Sequence, residues 1–184
     1  MKRLFDCLAA GFGLLLVSPV LLAVAVAIRM DSPGPVLFRQ KRVGKDERIF
    51  EILKFRSMVV DAPRLGSHST AANDPRITRV GRFIRRTSLD ELPQLLNVLK
   101  GDMSLVGPRP DVPAQEGDYS RPDWLSRLSV RPGITGLAQA TLRSEATPEE
   151  RLALDLEYVQ KQSMVLDAYI LYKTVRQIIG KGGN

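Results

Sequence analysis

Hydrophobic positions along this chain fall into three patterns, and each predicts a different element. The first is an unbroken apolar run. Cys7 to Ile28 are 22 consecutive positions without a charge, about the length that crosses a bilayer core as one helix. The second is short and extended: Val36–Val43 and Arg48–Arg56 read as strands around the turn Gly44-Lys45-Asp46-Glu47, a small β-hairpin. The third is helical spacing. Ile77, Val80 and Ile84 mark one stripe of a helix over Arg76–Arg86, and Leu92, Leu95, Leu96 and Leu99 mark a second that stops at Gly101. Pro148 to Lys161 opens with Pro and two Glu, as a helix N-terminus should. Val165–Ile179 closes the pattern as an amphipathic helix, suited equally to core packing and to a lipid interface. Between these lie the turn Ser32-Pro33-Gly34-Pro35, a long Gly/Ser/Thr/Ala-rich loop over Asp61–Asn73, and loops marked by Pro108-Arg109-Pro110 and Pro132-Gly133. The expected fold class is α+β, mostly helical, with an apolar anchor over residues 1–30 and a polar domain over residues 31–184.

The apolar run admits three readings. Lys2 and Arg3 before it permit a signal peptide, but the run is long for one and no clear small-x-small site precedes Arg29. A plain spanning helix is the second. The third starts from Ser18-Pro19. Proline lacks the N–H of a helix bond and clashes with the carbonyl four residues back. It divides the run into arms of 12 and 10 residues. The longer arm reaches about 18 Å, roughly half a hydrocarbon core. A helix bent there can dip into one leaflet and return, with Ser18 bonding the freed carbonyls. Basic residues at both ends, Lys2 and Arg3 against Arg29, do not force the ends apart. The residues leave all three readings open, and re-entry is the favoured expectation in part because of the resemblance given below.

Composition narrows the function classes. The 184 residues carry 27 Lys+Arg and 20 Asp+Glu, a net charge of +7, with 44% hydrophobic residues. That suits a folded domain rather than a disordered chain. One cysteine, Cys7, and one histidine, His68, exclude an internal disulfide framework and a Cys/His zinc site. No repeat of solenoid or propeller length occurs. The basic balance permits a tethered module that binds anionic lipid or nucleic acid. With 6% aromatic residues and no nucleic-acid motif, nucleic acid is not the expected partner.

The chemistry concentrates around Asp90-Glu91, directly after five arginines (Arg76, Arg79, Arg82, Arg85 and Arg86) in eleven residues without an acid. A structural reading competes here: Ser88 as N-cap with Glu91 at N3 forms a capping box. Pro93 weakens it, because the helix must then bend or start later. On either reading a helix N-terminus favours the ionised aspartate. Such a carboxylate beside arginines is a competent nucleophile toward phosphorus. A second carboxylate can hold Mg²⁺ together with substrate phosphates. Lys54 and Arg56 flank Phe55 on the second predicted strand, Arg109 sits between prolines, and Arg143 follows Gly133–Gly136. Converging cations of this kind suit a diphosphate. There is neither a P-loop nor a dinucleotide-binding glycine fingerprint.

Five stretches carry a resemblance: Phe38–Gly44 (FRQKRVG), Leu53–Met58 (LKFRSM), Thr87–Gln94 (TSLDELPQ), Asn97–Pro110 (NVLKGDMSLVGPRP) and Arg131–Gly136 (RPGITG). They resemble the bacterial sugar transferases, the monotopic phosphoglycosyl transferases in their small form, over about residues 2–179. Ser18-Pro19 also matches that family's re-entrant helix. The resemblance implies that Asp90 attacks the β-phosphorus of a UDP-sugar, releases UMP and carries the sugar-phosphate. A polyprenyl (undecaprenyl) phosphate would then accept it. It implies Glu91 as the Mg²⁺ carboxylate. It implies Lys54, Arg85, Arg109, Arg143 and Asp155 as phosphate-, nucleotide- or site-supporting residues. It further implies monotopic residence on the cytoplasmic face of a bacterial inner membrane, beside anionic lipid. Two positions depart from the family pattern: Leu137 stands where Trp is usual, and Ala140-Thr141-Leu142 precedes Arg143 in place of a Gly-containing turn. A Mg²⁺-dependent hydrolase that releases sugar phosphate to water is the enzymatic rival.

Overall fold

The computed structural model describes residues 1–62, 74–142 and 147–181. Helix α1 runs Lys2–Asp31. It is one continuous helix through Pro19 rather than two arms separated by a break. The reason is local. Pro19 has no N–H for the carbonyl of Leu15, and Ser18 Oγ donates to that same oxygen at 2.8 Å.

Both ends of α1 are held by the same body. Near the start, Ala10 is fully buried against Ile52, Val98 and Met103. Arg3 donates to the carbonyls of Val98 (2.6 Å) and Leu99 (3.1 Å), at the C-terminal end of another helix, where a cation is favoured. Near the end, Val24 and Ile28 pack on Phe55 and Ile84. The Asp31 carboxylate accepts from Val80 N–H at 2.9 Å. Between these anchor points Phe12, Leu15, Leu16 and Leu22 are exposed.

The hairpin forms as expected: β1 (Leu37–Val43) pairs antiparallel with β2 (Ile49–Phe55), from Leu37↔Phe55 to Val43↔Ile49. Its connecting turn places Asp46 and Glu47 at positive φ, 55° and 61°. Of the Asp61–Asn73 loop, residues 63–73 lie outside the described residues. Helix α2 (Arg79–Arg86) begins three residues later than the pattern suggested, because the side chain of Thr78 caps Gly81 N–H. Helix α3 (Gln94–Lys100) ends at Gly101, which takes the left-handed conformation expected of a C-terminal glycine (φ 98°).

The buried stripe of α3 differs from expectation. Leu96 and Leu99 are exposed, and the interior face is Gln94, Asn97 and Val98. Asn97 explains the choice. Its Oδ1 accepts from Leu53 N–H (3.0 Å) and its Nδ2 donates to Glu51 O (2.7 Å), so it satisfies the free edge of β2.

Two short elements escaped the sequence pattern: β3 (Ser104–Val106) and β4 (Gly133–Thr135) form a parallel pair. Helices α4 (Arg121–Arg127) and α5 (Leu137–Leu142) lie to either side of β4 in sequence. Helix α6 (Pro148–Lys161) opens on a Thr147/Glu150 capping box, and α7 (Met164–Lys181) follows. Helix α7 answers both readings of its pattern. Ile170 and Asp167 are buried, while Val165, Tyr169, Tyr172 and Val175 form an exposed apolar face. The architecture is α+β and mostly helical.

Candidate active site

Asp90 and Glu91 lie in a single 3₁₀ turn, Leu89–Glu91, between α2 and α3. Ser88 enters it at φ 56°, ψ 16° and makes no side-chain cap. The capping-box reading is therefore not what forms. A non-glycine residue in this conformation costs about 1–2 kcal/mol, and here it turns the chain out of α2 so that both carboxylates face β2. Pro93 is the N-cap of α3, so the helix starts later rather than bending.

Lys54 reaches the turn from β2. Its neighbours Leu53 and Phe55 are buried in the core, and the alternation of a strand sends Lys54 to the other face. Its Nζ donates to Glu91 Oε1 at 2.7 Å. Arg109, in the loop after β3, donates to the same oxygen at 3.0 Å. Among the described residues Glu91 Oε2 accepts no hydrogen bond.

The environment separates the two carboxyls. Burial, then the negative charge of Glu91, pushes Asp90 up to about 6, against the opposing pull of Lys54, Arg85 and Arg109. Burial also opposes ionisation of Glu91, but the charges and hydrogen bonds of Arg109 and Lys54 outweigh it and hold Glu91 at about 2. Two adjacent carboxyls pushed apart in this way have different roles. Glu91 is a fixed anion. Asp90 is still largely ionised at neutral pH, yet more basic than an ordinary aspartate, and it makes no hydrogen bond among the described residues that would blunt it. The helix-terminus argument foresaw an ionised Asp90; the larger effects are burial and its neighbour.

A hard divalent cation fits this arrangement. Such an ion is commonly held by one or two carboxylates plus substrate phosphates, and Glu91 Oε2 is uncommitted. No group of three or more His, Cys, Asp or Glu among the described residues could hold a metal by protein ligands alone.

Of the residues singled out in the sequence, Lys54, Glu91 and Arg109 meet directly, and Arg85 acts on Asp90 through its charge. Arg143 lies outside the described residues. Asp155 stands apart from these contacts. It is 1% exposed on α6 and paired with Arg127, so its negative charge is turned into the core. Arg42 and Arg127 were not singled out. Arg42, the last residue but one of β1, lies where the charges of Arg109, Asp111 and Glu91 act on it, and its place in the Phe38–Gly44 stretch was the available signal. Nothing local marks Arg127.

An open apolar groove of about 850 Å³ runs between the second half of α1 and α2, lined by Pro19, Val20, Val24, Val80 and Phe83 and reaching Leu89. The exposed arginines Arg79, Arg82 and Arg86 lie along α2 beside it.

A long apolar helix, an apolar groove that reaches Leu89, and a carboxyl pair directly after it in which Glu91 is held by two cations stand together. Comparison with known proteins shows the family. The family model for bacterial sugar transferases matches residues 1–181, and the chain belongs to that family. It is 46% identical over 189 residues to undecaprenyl-phosphate glucose phosphotransferase of Komagataeibacter xylinus, covering 97% of this chain and 36% of that protein. It is 45% identical over 184 residues to UDP-N-acetylgalactosamine-undecaprenyl-phosphate N-acetylgalactosaminephosphotransferase of Aeromonas hydrophila, covering 97% and 44%. The exopolysaccharide production protein PSS of Rhizobium leguminosarum bv. phaseoli is 45% identical over 193 residues, covering 99% and 96%. The chain thus spans less than half the length of the first two relatives and nearly all of the third.

Proposed function

We propose that this protein transfers a sugar-1-phosphate from a UDP-sugar to a membrane polyprenyl phosphate, such as undecaprenyl phosphate, in two displacements at Asp90. The observation that carries the reading is the geometry of the carboxyl pair: Asp90 and Glu91 share one turn, Lys54 Nζ and Arg109 Nη2 converge on Glu91 Oε1 at 2.7 and 3.0 Å, and Asp90 is left without a hydrogen bond among the described residues. In the first displacement an Asp90 oxygen attacks the β-phosphorus of the donor. The bond from that phosphorus to the bridging oxygen breaks, and UMP leaves with the electron pair. In the second, a phosphate oxygen of the acceptor attacks the same phosphorus and the aspartyl bond breaks. The carboxylate is restored and the polyprenyl-diphospho-sugar departs. Covalent capture lets one soluble and one lipid substrate use the same site in turn.

Lys54 and Arg109 hold Glu91 and face the donor's phosphate oxygens; Arg85 adds positive charge beside Asp90. Glu91 would hold Mg²⁺ through Oε2, where the ion supplies charge neutralisation for the diphosphate. The acceptor's isoprenoid tail lies in the groove between α1 and α2, which brings its phosphate to Leu89-Asp90. A bend of helix α1 at Ser18-Pro19 would let it dip into one leaflet with both ends on one face, a reading supported by the packing of both ends on one body. Arg79, Arg82 and Arg86 lie at the headgroups of anionic lipid, on the cytoplasmic face of a bacterial inner membrane.

The test incubates the chain with Mg²⁺, undecaprenyl phosphate and a donor panel including UDP-glucose and UDP-N-acetylgalactosamine, and measures UMP. The expected result is UMP release that Asp90→Asn abolishes, with a sugar-phosphate adduct on the Asp90 peptide when acceptor is omitted. UMP formation that survives in Asp90→Asn removes the nucleophile. Continued turnover without acceptor turns the reading to the hydrolase.

A further inference from the structure

Arg109 stands in a segment with few means of holding itself. Pro108 and Pro110 have no N–H, which leaves backbone carbonyls as the handles of the segment. Four in succession are taken, the first, Pro108 O, by Gly133 N–H at 2.9 Å. Arg127 Nη2 donates to Arg109 O at 2.8 Å. Arg42 Nη1 donates to Pro110 O at 2.9 Å. Val43 N–H donates to Asp111 O at 2.9 Å.

Arg127 is itself locked. It is 2% exposed and bonds two carboxylates, Asp111 through Nη1 and Asp155 Oδ2 through Nε at 2.9 Å, with the Tyr119 ring centroid 5.1 Å from Cζ. Asp111 belongs to the segment, Arg127 ends α4, and Asp155 lies in the middle of α6. The cluster therefore ties the segment to two helices. A buried ion cluster is weak support for stability, because apolar side chains of equal volume do as well or better. What it delivers that apolar residues would not is a fixed position for a backbone oxygen. The planar five-donor fork of arginine suits that task, where lysine's ammonium does not.

We propose that Asp155, Arg127 and Asp111, with Arg42, are positioning residues for Arg109. They fix its backbone so that its guanidinium meets Glu91 and the donor's phosphates. Asp155 acts on the reaction only through this chain of contacts. The inference rests on the phosphoglycosyl transfer proposed above.

Two variants test it in the full chain in lipid nanodiscs. Asp155→Asn keeps the shape and removes the charge, while Arg127→Lys keeps the charge and removes the fork. Truncation to alanine is avoided because it would leave two buried carboxylates unpaired. The first measurement uses no substrate: hydrogen exchange of the peptide covering residues 107–112. Both variants are expected to exchange there about tenfold faster or more, with the peptides of β2 and α3 unchanged. The second is donor kinetics. A displaced Arg109 should lower kcat/KM for the UDP-sugar by about 10²-fold, carried by the donor KM and not the acceptor KM. In an Arg109→Ala background the added Asp155→Asn should change kcat/KM by less than about threefold, because coupled residues are not additive.

Unchanged exchange over residues 107–112 in both variants overturns the proposal. So does a full, additive loss from Asp155→Asn in the Arg109→Ala background. If the wild-type chain releases no UMP from any donor, the reaction assignment falls, and the exchange result alone decides the positioning.

Discussion

Lowering the pH from 7 to 5 should slow capture of the sugar-phosphate about tenfold, and the reason lies in the surroundings of Asp90. Its carboxyl moves from an ordinary 3.8 to about 6. That displacement is about 3 kcal/mol against ionisation. Only the ionised carboxylate attacks. With a midpoint of about 6, roughly 90% is ionised at pH 7 and roughly 10% at pH 5. The assay is kcat/KM for UMP release against donor, which reports groups of the free enzyme. Glu91, held near 2, stays ionised throughout. Asp155 also lies near 6 because of burial, so the same profile is measured in Asp155→Asn; the acid limb should persist there. Unfolding is not an alternative source of the loss. Asp90 and Asp155 have folded values above their unfolded ones, so their contribution to stability is complete below about 4 and is lost as pH rises through about 6. Glu91 contributes above about 4.5 and loses this only toward about 2. Between pH 7 and pH 5 these groups therefore favour the fold as the rate drops. A profile flat from pH 7 to pH 5, with its midpoint near 4, would refute the argument that burial and Glu91 set the basicity of Asp90.

Two further outcomes follow from packing. A Cβ at Gly81 would sit 2.0 Å from Ser57 O and 2.7 Å from Ser57 C, both backbone atoms. Gly81→Ala should therefore destabilise by about 1–3 kcal/mol or more, read as a lower midpoint of chemical unfolding in detergent; a change within about 0.5 kcal/mol would show that α2 and the strand end can separate freely. For the anchor, a cysteine inserted after Met1 and Met30→Cys, both exposed positions, should be labelled from the same side of a sealed membrane in a Cys7→Ser background. Labelling from opposite sides would reject re-entry.

Elements fixed by neighbours in sequence were legible before the structure, and those fixed by distant partners were not. The hairpin, the glycine stop at Gly101 and the Pro148 start of α6 each depend on a handful of adjacent residues, and each formed where the pattern put it, within a residue or two. The bond from Ser18 to the carbonyl freed by Pro19 is of the same kind. The parallel pair β3–β4 is three residues on each strand, too short for any periodicity, and exists because Ser104 meets Gly133. The leucine pattern of α3 failed for a related reason. A free strand edge needs donors and acceptors, and Asn97 supplies them to Glu51 and Leu53, more than forty positions away. The active-site pair was legible as residues but not as chemistry. Ser88-Leu89-Asp90-Glu91 spells a capping box, and the positive φ of Ser88, the burial of Asp90 and the arrival of Lys54 and Arg109 on Glu91 turn it into two unlike carboxyls. Asp155 marks the boundary of this kind of reading. Its identity pointed to the site, but a buried carboxylate takes its meaning from its partner. That partner is Arg127, 28 residues earlier, whose remaining donors hold Asp111 and the backbone of Arg109. The charge of Asp155 is therefore committed to Arg127 inside the core, and the positioning of Arg109 proposed above is the route by which it would reach the reaction.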